Sequence, residues 1–164
     1  MAKQISTTIR GNNIENLIGG ISSKTARVEE LGADRTLTAR DSGTTFFVTL
    51  AAGLDVILPA IASIDIGTTF SFKYGVSVAT TAHTYTAQAA DLLVGQVLSM
   101  DFDTADVVDS FAPDVSDDLI ITFASGLTQG GKIGTYFSLT AVSPTRWWVE
   151  GVLRGDGTIV TPFS

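Results

Sequence analysis

The chain has 164 residues, of which 45% are hydrophobic and only 16% charged, with a formal net charge of −7 and no cysteine. That length suits one domain able to bury roughly 70% of its unfolded surface. Lack of cysteine excludes disulfides, thiolate zinc sites and thiol nucleophiles, and the acidic balance argues against nucleic acid as a partner.

Charge is uneven along the chain. Residues 1–40 carry six Lys or Arg against four acids, whereas 41–164 carry four against thirteen. With a mean hydropathy of +0.31, the surface must be covered largely by Thr, Ser, Gly and Ala, or by other subunits. Lys3 and Gln4 follow Met1 where an apolar leader would stand, and Asp55, Pro59 and Asp65 interrupt the most apolar stretch, Val48 to Ile66. No signal peptide, membrane span or membrane partner is expected.

Residues 1–33 read as an N-terminal arm, extended with short helical turns, because Gly and Asn separate short apolar pieces. Ile14, Leu17, Ile18 and Ile21 fall at i, i+3, i+4 and i+7, one helical face, with Asn12 or Asn13 as N-cap and Gly19-Gly20 as a stop. Ser23 to Leu31 is expected to add a second helical turn ending at Gly32. Segments this short are marginal alone, so their order must come from contact. The stripe, with Arg27 supplying local positive charge, is the candidate protein interface of the arm.

From Thr36 onward, within a β-domain spanning residues 34–164, the period changes to two. Thr44, Phe46, Val48 and Leu50 alternate with Thr45, Phe47 and Thr49, and a turn at Gly53 leading to Val56 and Leu58 predicts a hairpin. Thr69 to Tyr74 repeats the alternation. Further strands are expected at Val76–Thr80, His83–Ala87, Leu92–Val97, Leu119–Ala124, Ile133–Val142, Arg146–Val152 and Thr158–Thr161. Ser143-Pro144-Thr145-Arg146 supplies a tight turn between two of them. Phe137, Leu139 and Ala141 share one face, as do Trp147 and Val149. Trp148 points away with Arg146 and Glu150, which makes it either a shielded residue or a subunit contact. The pattern predicts an all-β fold, a β-sandwich or barrel of about eight to ten short antiparallel strands.

Thr36-Leu37-Thr38-Ala39-Arg40-Asp41-Ser42-Gly43-Thr44-Thr45-Phe46, followed by Val56-Ile57-Leu58-Pro59, resembles a pattern of phage virion proteins, the decoration (cement) and fibre-type β-domain proteins. Asp118-Leu119-Ile120-Ile121, the Gly134 to Ala141 segment and Thr145-Arg146-Trp147-Trp148-Val149-Glu150-Gly151 resemble that group's closing hairpin. The likeness spans residues 36–153. It implies a β-domain that assembles as a homo-oligomer, often a trimer, on a virion.

Enzymatic chemistry finds little footing. His83, the one histidine, has no Gly-x-Ser-x-Gly elbow to serve. Gly126 to Ile133 nearly spells a phosphate loop, but Ile133 stands where Ser or Thr would hold magnesium and a strand is expected next, so a Gly-rich hairpin loop is the better reading. Asp101, Asp103, Asp106, Asp109, Asp114, Asp117 and Asp118 lack calcium-loop spacing and read as a solvated loop. Arg154-Gly155-Asp156 reads as part of a turn. No catalytic residue, cofactor or metal site is expected. The expected function is that of a non-enzymatic decoration protein on the capsid surface, made in the host cytoplasm, bound to the major capsid protein and to itself. The alternative is a tail-fibre or receptor-binding module contacting the host surface.

Overall fold

The computed structural model describes residues 27–101, 107–114 and 116–164. Within them run eleven strands: β1 (Arg27–Leu31), β2 (Arg35–Thr36), β3 (Thr44–Val48), β4 (Leu54–Ile57), β5 (Thr69–Tyr74), β6 (His83–Thr86), β7 (Leu92–Asp101), β8 (Val108–Phe111), β9 (Ile120–Phe123), β10 (Tyr136–Ser143) and β11 (Arg146–Gly155). They form a seven-stranded sheet in the order β1-β3-β5-β10-β11-β7-β8 and a four-stranded sheet in the order β2-β4-β6-β9.

From β1 to β7 each strand crosses to the other sheet. The chain therefore winds in coils, and β1, β3 and β5 lie parallel in one sheet while β2, β4 and β6 lie parallel in the other. Parallel neighbours need a crossover connection, and here a strand of the opposite sheet provides it. Both sheets are thus mixed, which corrects the antiparallel expectation. The predicted hairpin from Thr44 to Leu58 is also replaced: β3 and β4 do not pair, and Gly53 donates its N–H to Thr81 O (3.2 Å) at the bend between them. Alternation marks which side chains face inward but says nothing about which strand lies alongside.

The hairpin at Pro144 forms as expected, with Thr140 opposite Trp148 and Leu139 opposite Val149. Inward rings from both sheets build one core. Phe72 of β5 meets Phe46 (5.4 Å) and Phe137 (5.0 Å) within its sheet and Tyr85 of the facing sheet (4.7 Å). Phe123 of β9 closes on Phe137 at 5.5 Å. Such ring pairs add about 0.5–1.5 kcal/mol each beyond the area they bury.

Three more expectations change. Arg27–Leu31 is a strand and not a helical turn, so the sheet begins before the arm boundary placed at residue 33. Its cause is long-range: parallel pairing with β3 turns Leu31 into the core beside Val48. Arg35 then ties this first coil down, donating to Glu29 (2.8 Å) and Asp41 (2.6 Å) with its guanidinium 4.9 Å over the Phe46 ring. Val76–Thr80 and Thr158–Thr161 are not strands. The last residues instead line β9, where Leu119 and Ile120 both donate to the Ser164 carbonyl. β8, inside the Asp-rich stretch, is an addition.

Candidate interaction surface

Inward positions of the seven-stranded sheet are filled, so its chemistry lies on the outer face. Register places apolar pairs on β11, β7 and β8: Val152 beside Leu98 and Met100 beside Val108 adjoin, while Trp148 beside Val94 lies on the far side of the Glu150–Gln96 pair. Leu98, Val108 and Trp148 are all exposed. On the other half of the face, β3, β5 and β10 present Thr45, Thr69, Ser71, Lys73, Tyr136, Ser138 and Thr140, with Phe47 lying over Gly75, where a Cβ would come within 2.3 Å of its ring. One face therefore has an apolar flank and a hydroxylated flank.

Trp148 occupies the boundary. It points outward with Arg146 and Glu150, as the alternation predicts, and is 43% exposed. No strand among the described residues shields it. Its indole N–H donates to Glu150 Oε2 at 3.3 Å, and the Ser138 hydroxyl donates to Glu150 Oε1 at 3.5 Å. Lys73 has no ion-pair partner among the described residues.

The remaining expected interface residues divide. Ile14, Leu17, Ile18 and Ile21 lie outside the described residues. Arg27 is engaged within the chain, paired with Glu29 and donating to the Arg40 carbonyl at 3.0 Å. Phe47, Val94, Leu98, Val108, Tyr136 and Lys73 were not singled out from sequence. The available signal was an apolar or aromatic residue on the polar beat of a strand, as at Phe47 beside Phe46.

Electrostatics elsewhere serve the fold. Burial works to raise the Asp41 pKa, but the Thr38 backbone and hydroxyl, with Arg35, outweigh it and hold the carboxyl below its ordinary value. His83 is fully buried, its Nδ1 3.1 Å from the Tyr74 hydroxyl, which is itself 2.9 Å from that of Tyr85. Burial lowers the His83 pKa, with Asp55 opposing, which disfavours the charged ring among these aromatics.

The Gly126–Ile133 segment links β9 to β10 across the two sheets and is not a hairpin loop. Gly130 and Gly131 adopt positive φ there, and a Cβ on Gly131 would lie 2.8 Å from Phe123. Of the acidic stretch, Asp103 and Asp106 lie outside the described residues, while Asp101 is buried at the end of β7 and Asp109 lies on β8, which corrects the solvated-loop reading at those two positions. Asp114 accepts from Ser116 N–H and hydroxyl at 2.9 and 2.6 Å, and Asp118 accepts from Asp114 N–H, so these carboxylates shape their own turn. Among the described residues no three His, Asp or Glu approach closely enough to hold a metal, and no helix is long and apolar enough to cross a membrane. Arg154 and Gly155 end strand β11 rather than forming a turn, and the segment is tied down: Arg154 donates to Ile133 O at 3.2 Å and Asp156 pairs with Lys132. The chain matches no protein-family model, no curated protein and no solved structure.

Proposed function

We propose that this protein is a non-enzymatic structural component of a virus particle, a capsid decoration protein. We read its two sheets as the layers of a β-sandwich, whose coil-wound half gives a rigid body and whose outer face makes contacts. It sits on the capsid surface against the major capsid protein and against copies of itself, as a trimer.

The apolar flank of β11, β7 and β8 carries this reading. Exposed Leu98 and Val108, with Val152 and Met100 beside them, gather apolar side chains on adjoining strands, and exposed Trp148 stands on the same face beyond the Glu150–Gln96 pair. Low charge supports it too, since only 16% of residues are charged and a surface so poor in charge suits repeated subunit contacts. Ile14, Leu17, Ile18 and Ile21, whose spacing in the sequence is that of one apolar stripe, supply a second contact ahead of β1, with Trp148 at the first.

Purified protein mixed with decoration-free heads tests it directly. Many copies per head are expected, and a Leu98→Asp/Val108→Asp double variant is expected to lose most of that binding while remaining folded. Heads that stay bare in the presence of folded wild-type protein would sink the decoration role.

A further inference from the structure

The hydroxylated flank carries a separate feature. A groove of about 430 Å³ crosses β5, β10 and β11, and the outward side chains lining it are Ser71, Lys73, Tyr136, Ser138, Glu150 and Val152. A second hollow of about 350 Å³, which Lys73 and Tyr136 also line, extends it past the start of β10. Both hollows are open to solvent along the sheet, so they suit a ligand lying across the strands rather than one enclosed by them.

Groove chemistry narrows the ligand. Its walls are neither apolar enough for an acyl chain nor cationic enough for a polyanion. Tyr136, half exposed, offers a ring face with a polar tip. Ser71 and Ser138 both donate and accept, Glu150 only accepts, and Lys73 only donates. The Glu150 carboxylate lies near Trp148 Nε1 (3.3 Å) and the Ser138 hydroxyl (3.5 Å), contacts long enough to leave it free to accept from a ligand. β5 and β11 lie on either side of β10, so the ammonium and the carboxylate stand on strands roughly 10 Å apart. A ligand filling that gap must present a C–H face to a ring and hydroxyls to both a donor and an acceptor.

Saccharides meet that description. A carboxylate in the groove and a net charge of −7 disfavour acidic ones. We propose that the outer-face groove binds a neutral glycan. Tyr136 stacks on the sugar, while Glu150 accepts from and Lys73 donates to its hydroxyls through charge-assisted bonds. No bond is made or broken.

The test uses the full chain, fluorescently labelled, on a printed array of neutral and sialylated oligosaccharides, followed by saturation-transfer NMR with the strongest neutral saccharide. Binding to neutral glycans is expected. Tyr136→Ala and Glu150→Gln should each weaken it by about tenfold, a 1.4 kcal/mol change. Thr122→Ala, on the outer face of the other sheet, should leave it intact, and melting curves check that every variant is folded. Absence of any saccharide binding, binding to sialylated glycans alone, or binding untouched by both groove variants would overturn the proposal. It stands apart from the virion reading, because the array involves no capsid and bare heads would leave its outcome unchanged.

Discussion

Trp147 and Trp148 are neighbours on one strand and meet opposite fates. Trp147 has no exposed surface and its ring lies 5.7 Å from Phe70, whereas Trp148 is 43% exposed and its polar atom serves Glu150. The same division runs across the whole seven-stranded sheet. Inward positions hold Phe46, Phe70, Phe72, Phe137, Leu139 and Val149, all buried; outward positions mix Ser and Thr with isolated large apolar residues. The outer face of the four-stranded sheet carries Thr84, which donates to Asp55 at 2.6 Å, with Thr122 beside it, and Thr86 between exposed Ile57 and half-buried Ile120. Inward residues fix the fold, and outward ones on the larger sheet are free to carry contacts. The largest expected effect therefore belongs inside: Trp147→Ala should cost about 3–5 kcal/mol in denaturant unfolding. A cost under about 1 kcal/mol would mean that the inner face is not the close-packed one.

Next in size comes the anchor of the first coil. Arg35 joins β2 to Glu29 of β1 and to Asp41, and it covers Phe46. Hydrogen bonds to charged groups contribute more than neutral ones, but this side chain is about a third exposed, so screening reduces the gain. Arg35→Ala should cost about 1–2 kcal/mol, with hydrogen exchange rising first in β1 and β2. Uniform loss of protection across both sheets would show that the first coil is no separate unit.

Acid should weaken the core at His83 before it reaches the carboxylates of the first coil. Burial holds the His83 pKa below its ordinary 6.5, so below pH 6.5 the unfolded chain takes up a proton that the folded one refuses. Stability is complete above that pH and falls as pH drops toward the folded-state value. Asp41 and Glu29 are also lowered, but they act in the carboxylate range, and their contribution is lost only as pH falls further. Thermal melts from pH 7.5 to 5 should decline, and His83→Gln should flatten that slope whatever its effect on stability at neutral pH. An unchanged slope would remove His83 as its source.

How much of this was legible in sequence follows from range. Strict alternation at Thr69–Tyr74 and Tyr136–Gly151 located strands, their inner faces and the outward turn of Trp148. Pairing partners were hidden, since β3 meets β1 and β5 across intervals of 17 and 26 residues that no local pattern records. β1 carries too few apolar residues to declare itself, with only Leu31 buried of Arg27-Val28-Glu29-Glu30-Leu31. The groove escaped for a related reason. Ser71, Lys73, Tyr136, Ser138 and Glu150 come from three strands, and each is unremarkable in its own segment.

The smallest expected change in stability is the one that bears most on the outer face. Trp148 packs on no buried ring, and its indole N–H reaches only a partly solvated carboxylate, so Trp148→Ala should alter unfolding free energy by no more than about 0.5 kcal/mol. Because Trp147 is buried, soluble quenchers acting on the wild type should reach Trp148 selectively, and binding to heads should protect it. The variant should then bind heads more weakly despite near-normal stability, as expected of an aromatic anchor at an interface. A loss of 2 kcal/mol or more on unfolding would instead place Trp148 in a core completed by chain outside the described residues. That outcome would erase the contrast between the two tryptophans and move the contact surface to Leu98 and Val108 alone.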